Sequence, residues 1–454
     1  MIEVLLQDKS LLTQEHLRAL TDALDSGAFV QVRRMLNHLP APTIAHLLES
    51  SPIKTREVLW KLVEKDNEGD VLNYLNFDIQ ADILNKLSPE EVVSITEGLE
   101  TDDIADILQN LPEKVIYEVL QAMDAQDRKR LESVLSYPED SAGGLLNTDT
   151  ITVRRSHTLD VVLRYLRRHD EIPEMTDNIL VVDRNDHLIG ILPLRKLLVS
   201  DPDQIVEDVM ITDFQAIPVN MDQAEVVQLF ERMDWISAPV IDEGGKLLGR
   251  ITIDDIVDVI REESDHSIKS MAGLGDAEDT FAPVMRTARN RGVWLGINLI
   301  TAFVASAVIS QFSATIDKVV ALAVLMTIVA SMGGVAGNQT QTMVIRSMAL
   351  GQIGKTNSMW LMNRELMVAA LNSLLWGFVA AATAVWWFND WTLGYIFAAA
   401  MVINLMTAAL SGAFLPLMLK SMNIDPALAG GVILTTITDV VGFMSFLGLA
   451  TLFY

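Results

Sequence analysis

The 454-residue chain has no cysteine, only 7 histidines, and far fewer basic than acidic residues, 34 against 60. Without cysteine there is no disulfide framework of the kind small secreted domains rely on, and no thiolate site for a soft metal. A net charge of −26 excludes a protein that grips nucleic acid through its phosphates, which takes surplus positive charge. Met1 to His16 has no basic stretch followed by an apolar core, so no cleaved signal peptide is expected. The charge is also unevenly spread: residues 1–280 carry 26 basic and 55 acidic residues, residues 281–454 carry 8 and 5. A strongly acidic part is joined to an apolar, slightly basic one, which excludes a single soluble globule. At roughly 100–200 residues per domain the chain holds two to four units.

A membrane span needs about 20 mostly apolar residues. Five stretches qualify: Val293–Phe312, Val319–Ile345, Leu366–Phe388, Leu393–Leu419 and Ala427–Tyr454. Short-loop charges set the orientation. Arg286, Arg289, Arg291, Arg346, Lys355, Arg364 and Lys420 fall on one side, and only Lys318, beside Asp317, on the other. The acidic N-terminal part is therefore expected in the cytoplasm and Tyr454 outside, in a multi-pass protein of the cell (inner) membrane.

Residues 1 to about 135 read as short amphipathic helices punctuated by Leu39-Pro40, Ser51-Pro52, Ser88-Pro89 and Leu111-Pro112. Ala-Asp-Ile-Leu occurs at 81–84 and again at 105–108, as in stacked helical repeats. From about 141 strands alternate with helices, twice over. Ile151–Val153, the helix around Leu159–Arg168, Leu180–Asp183 and Leu188–Leu192 make the first pass. Ile217–Val219, the helix Ala224–Met233, Pro239–Asp242 and Leu247–Ile251 make the second. The order apolar-apolar-Asp, then Leu-x-Gly, resembles a pair of CBS modules, which implies a sensor of adenine nucleotides or metal ions. Arg261–Met271 continues helically, Gly273–Asp279 is a loop, and Thr280–Arg291 reads as a second, basic helix reaching the bilayer.

Asp439 lies near the middle of the fifth span, with Gly431, Thr435, Thr436 and Gly442 on or beside its face. A carboxylate at that depth costs at least about 2.5 kcal/mol and marks a wet cavity or a partner. A protonated, hydrogen-bonded structural Asp is the plain alternative. The second span adds Asn338 and Thr342 among small and amide residues, and the fourth adds Asn404, Thr407 and Ser411. Interhelical hydrogen bonding would explain any one of them; gathered about one carboxylate they suit a hard cation such as Mg2+, which keeps much of its water. In the acidic part carboxylates cluster: Asp102, Asp103 and Asp106; Asp222 and Glu225; Asp234; Asp254, Asp255 and Asp258; Glu262, Glu263 and Asp265. A solvated acidic surface is the ordinary reading, but like charges three or four residues apart destabilise a helix unless a cation bridges them.

Taken together the chain resembles the MgtE family of magnesium channels. The resemblance rests on Tyr137-Pro138-Glu139-Asp140-Ser141-Ala142-Gly143-Gly144, on Gly333 to Gln339 followed by Arg346, and on Asp425-Pro426-Ala427-Leu428 with Asp439 beyond. It implies an all-α superhelical N domain (1–136), an α/β tandem CBS pair (137–203 and 204–262), a connecting plug helix (263–292) and a five-span α-helical membrane domain (293–454). It further implies a homodimer that conducts Mg2+ inward and closes when cytoplasmic Mg2+ is high, with ATP a candidate ligand of the CBS pair. By motif, Asp439 is the pore carboxylate and Asp425 a cytoplasmic residue linked to the plug. Asp102, Asp106, Asp222, Asp234, Asp255, Asp258 and Glu263 are the sensor set, and Asn338, Thr342, Asn404, Gly431 and Thr435 the pore lining. The chain departs from the family's usual residues at Val335, Gly431, Ala224, His266 and Ser267. A proton- or sodium-coupled divalent-cation exchanger using Asp439 is the competing class, and an enzyme is not expected.

Overall fold

The computed structural model describes residues 28–96, 99–109, 111–169, 172–274, 281–353, 357–422 and 424–454. The expected helices within residues 1–27, the loop from 275 onward and Lys355 lie outside them. The chain divides into two compact units, one formed chiefly by residues up to 262, the other chiefly by residues from 263 on.

The first unit opens with short helices: α1 (Phe29–Leu36), α2 (Ala41–Glu49), α3 (Ile53–Trp60), α4 (Lys65–Asn73), α5 (Phe77–Leu84), α6 (Pro89–Thr96), α7 (Thr101–Gln109), α8 (Glu113–Ala122) and α9 (Ala125–Val134). Local chemistry sets their starts. Ser88 and Glu91 form a reciprocal cap, Ser88 N donating to Glu91 Oε2 at 2.8 Å and Glu91 N to Ser88 Oγ at 3.3 Å. The repeated Ala-Asp-Ile-Leu ends α5 and recurs in α7, and in both copies the Ile-Leu pair is buried in one shared core. The period of 24 residues is therefore structural.

The two CBS passes have the same topology. In the first, β1 (Thr152–Val153) runs parallel to β2 (Asn178–Val182), which pairs antiparallel with β3 (Leu188–Pro193). Helix α10 (Leu159–Leu166) joins β1 to β2, and α11 (Leu194–Val199) and α12 (Val206–Val209) follow. In the second, β4 (Ile217–Pro218), α13 (Gln223–Met233), β5 (Ser237–Ile241) and β6 (Leu247–Thr252) repeat the order. The register shifts at Val181/Val182 and at Val240/Ile241, one residue before Asp183 and Asp242. Each Asp closes its hairpin as an Asx turn: Asp183 Oδ1 accepts from Asn185 N and His187 N, Asp242 Oδ1 from Gly244 N and Lys246 N. The recurring apolar-apolar-Asp signal is thus a turn determinant. At Gly249 a side chain would meet Asn147 O at 2.3 Å, so the Leu-x-Gly glycine admits the close approach of the backbone at Asn147.

Helix α14 runs unbroken from Ile253 to Met271. The second unit contains α15 (Val284–Ser310), a short α16 (Ser313–Lys318), α17 (Ala321–Ala349), α18 (Ser358–Phe388), α19 (Trp391–Ser421) and α20 (Pro426–Phe453). Five of these are long and apolar enough to span a bilayer, as expected. The basic segment and the first span are one helix, α15, because nothing between Val284 and Ser310 breaks the pattern. The most enclosed helix is α19, whose apolar window is 56% buried; α17, α18 and α20 pack on it. Close packing needs small residues: a Cβ at Gly412 would fall 2.7 Å from Gly337 O, so α17 and α19 touch backbone to backbone there. Exposed Trp386, Trp387, Trp391 and Tyr395 surround the α18–α19 turn, as in the aromatic belt of a membrane interface.

Candidate functional site

The second unit carries polar residues on the open sides of two of its helices. On α20, Gly431, Thr435 and Asp439 recur every four residues and so share a stripe. A Cβ at Gly431 would meet nothing within 4 Å, and Thr435 and Asp439 are half-buried. The Thr435 hydroxyl donates to its own helix, to Gly431 O at 3.0 Å, which leaves its lone pairs outward. No described residue hydrogen-bonds or pairs with the Asp439 carboxylate. On α17 the buried side is Leu322, Leu325, Val329, Gly333, Gly337 and Gln341, while Ser331, Asn338, Gln339 and Thr342 are exposed. Amides, hydroxyls and one carboxylate thus face outward at bilayer depth, where lipid offers them no partner.

Asn404 behaves differently from its expected role in the lining. It is fully buried, its Nδ2 donates to Val329 O at 2.7 Å, and its Oδ1 has no partner among the described residues. It therefore faces a helix seam instead of the open side. Gln341 is similar: Nε2 donates to Pro426 O at 3.4 Å while Oε1 is buried without a partner among the described residues. Each such oxygen costs about 1–3 kcal/mol. Glu365, expected at a span end where water would satisfy it, is instead buried: its carboxylate takes Arg364 Nη1 at 2.7 Å and Thr340 Oγ1 at 3.4 Å, tying α18 to α17. Its position at a span end gave no sign of burial.

Asp425 is the N-cap of α20, accepting from Ala427 N at 2.9 Å and Leu428 N at 3.1 Å. Its other contact is His266 Nε2, 3.4 Å from Oδ2. Residue 266, one of the departures from the family pattern, so joins the end of α14 to the start of α20. Glu263 is exposed on α14.

The first unit brings α7 against α14 with carboxylates on both. Asp102 is buried, and burial first, then the charges of Asp255, Asp103 and Glu100, lifts its pKa well above the ordinary range. Asp255 is lifted by burial and by Asp254, with Asp106 and Asp103 adding, although Thr252 Oγ1 donates to it at 2.9 Å. Asp106 keeps solvent access, yet the protein crowding it and the charges of Asp102 and Asp103 raise it too. Asp103, holding Asn73 Nδ2 at 2.8 Å, is raised to about 6, chiefly by burial. Asp258 and Glu262 are pushed up by burial, with Arg261 partly offsetting. Every causal charge within this cluster, Arg261 apart, is negative. Among the described residues no three His, Asp or Glu side chains converge closely enough to grip a metal ion directly. A strongly hydrated ion held through its waters fits such a cluster; a stripped, chelated one does not.

Two expected sensor residues stand apart. Asp222 caps the start of α13, accepting from Ala224 N at 2.9 Å, and Asp234 ends that helix in a left-handed conformation at φ 51°. With a helix of this length between them, about 16 Å separates them, too far to share one ion.

A second polar node links the helical repeats to both CBS modules and left no sequence signal. Glu100 Oε1 accepts from Glu174 N at 3.2 Å and Oε2 from Asn147 Nδ2, with Arg250 Nη2 3.7 Å away. Arg250 is buried and also donates to Glu174 O at 2.6 Å and Thr176 Oγ1 at 3.3 Å.

Comparison with known proteins is consistent with this architecture. Residues 326–449 match the family described as MgtE, divalent cation transporter; 39–140 match the MgtE intracellular N domain; and 142–201 and 206–262 match CBS domains. A magnesium transporter MgtE of Bacillus subtilis is 30% identical over 334 residues, 73% of this chain and 74% of that protein. A namesake from Thermus thermophilus is 32% identical over the same shares. The solved cytosolic domain of the Mg2+ channel MgtE in complex with ATP is 33% identical and superposes with a TM-score of 0.50, covering 54% of this chain and 99% of that one. Helical repeats, a CBS pair and five apolar helices follow one another in the order of these matches, and the chain is a multi-pass membrane transporter, not an enzyme, of the MgtE family.

Proposed function

We propose that the protein is a homodimeric Mg2+ channel that admits magnesium to the cytoplasm and is closed by cytoplasmic Mg2+. The observation that carries this reading is the open polar stripe of Gly431, Thr435 and Asp439 on α20, together with exposed Asn338 and Thr342 on α17. Such a face is costly against lipid, and a second copy of it across a twofold axis would enclose a wet path with two carboxylates. The relatives' names supply the ion, and its preference for retained water suits neutral oxygens around a sparse carboxylate set. In this reading the N-terminal part is cytoplasmic and Tyr454 lies outside.

Closure rests on the α7–α14 carboxylates. Without a cation their burial, and then their mutual repulsion, work against the compact arrangement, as the raised pKa values of Asp102, Asp103, Asp106 and Asp255 express. Hydrated Mg2+ relieves it, so the ion binds the compact form better and shifts the population towards it. Asp222, Asp234, Asp258 and Glu263 are further Mg2+ contacts in this reading, and α14 carries the signal to Asp425. ATP at the CBS pair modulates the response, as the solved ATP complex of a relative suggests. The test is Mg2+ uptake into proteoliposomes followed with an internal dye. Uptake that is lost in Asp439→Asn and slows as Mg2+ is raised on the N-terminal side supports the reading. Uptake that instead tracks an imposed proton or sodium gradient would replace the channel by an exchanger.

A further inference from the structure

Three membrane helices meet at the amide of Asn404 on α19. Its Nδ2 is fixed to Val329 O of α17 at 2.7 Å. A Cβ added at Gly333 of α17 would fall 2.2 Å from that nitrogen, and one added at Gly442 of α20 would fall 2.9 Å from it. The amide therefore occupies the side-chain space of two glycines on two other helices. It is fully buried, so it cannot swing aside to make room. Gly442 lies three residues after Asp439, one turn along the same helix.

We propose that Asn404 is a positioning residue of the ion path: it fixes the rotation and height of α20, and so the aim of Asp439. An apolar side chain of like volume would fill the seam without leaving Oδ1 buried and without a partner among the described residues. What the amide adds is direction. Its hydrogen bond sets it against α17, and a set amide admits Gly442 in one rotational position, whereas an apolar contact would let α20 slide. The proposal rests on the reading of Asp439 as the pore carboxylate.

Full-length Gly442→Ala, Asn404→Ala and the double variant are compared in proteoliposomes at equal amounts of folded protein. Two readouts are taken: the Mg2+ over Ca2+ flux ratio, and the rate at which dicyclohexylcarbodiimide labels Asp439, followed by mass spectrometry. Gly442→Ala is expected to change both by about tenfold, as a misplaced binding group does. The double variant is expected to match Asn404→Ala alone, because the clash is then gone. Additive effects, or single variants that lower only the yield of folded protein, would overturn the proposal. Were wild-type protein to pass no Mg2+, the channel reading would fail, and the labelling rates would still decide whether Asn404 positions Asp439.

Discussion

Replacing Asp103 by Asn removes one negative charge from the α7–α14 cluster and leaves its shape alone. The new amide oxygen still accepts from Asn73, which lies 2.8 Å from the present carboxylate. The carboxyl is raised from 3.8 to about 6, so ionising it in the compact arrangement costs about 3 kcal/mol, or about 2 once residual solvent is allowed for. A pKa raised in the compact form means that compaction takes up a proton. The compact form is thus favoured at low pH and loses that advantage as pH rises from 3.8 through about 6. At pH 7 without Mg2+, Asp103→Asn should raise the ratio of compact to open forms by up to about thirtyfold. Because the chain has no cysteine, spin labels can be attached through cysteines introduced at exposed Tyr117 and Met233 of the full-length protein in nanodiscs. Distance distributions between pH 5 and 7.5 then read the compact fraction. A wild-type compact fraction that does not fall with rising pH, or a variant that opens, would refute the reasoning.

Four further outcomes are expected. The concentration of Mg2+ that half-saturates the α7–α14 carboxylates should rise as pH falls through about 6, because ion and proton compete for Asp103 and its neighbours; calorimetric titration at pH 5.5 and 7.5 checks this. Arg250→Ala should strip Glu100 of its buried partner, cost about 3 kcal/mol, and speed proteolysis between the helical repeats and the CBS pair. Gly412→Ala should lower the yield of folded protein by forcing α17 and α19 apart, at about 1–3 kcal/mol. Gly292→Ala, where a Cβ meets no described atom within 4 Å, should match wild type in its yield of folded protein by size-exclusion chromatography.

Much of the architecture was legible because it is written in periodicity. Apolar runs of span length, a doubled strand–helix order and a repeated Ala-Asp-Ile-Leu each map onto one element or repeat. The Asp of each CBS pass was visible as a motif, but its work as an Asx turn emerged only with the hairpins. Along α20 the four-residue spacing of Gly431, Thr435 and Asp439 sufficed to put them on one stripe, since helical phase is fixed locally. Asn404 shows the limit: polarity and spacing suggested an exposed lining, and which way a polar residue faces in a helix packed on three neighbours depends on those neighbours. Glu365 and the Glu100–Arg250 node were silent for the same reason, their partners lying far away in the chain or in side-chain orientation.

The most direct measurement of the central claim is current through the purified protein in a voltage-clamped bilayer with Mg2+ as the permeant ion. Mg2+ on the side of the N-terminal part is stepped from zero to several millimolar, the range of weak carboxylate sites. The account expects discrete openings that become rarer as that Mg2+ rises and are absent or unselective in Asp439→Asn. Openings indifferent to Mg2+ on that side, or undiminished Mg2+ selectivity without the Asp439 carboxylate, would contradict it.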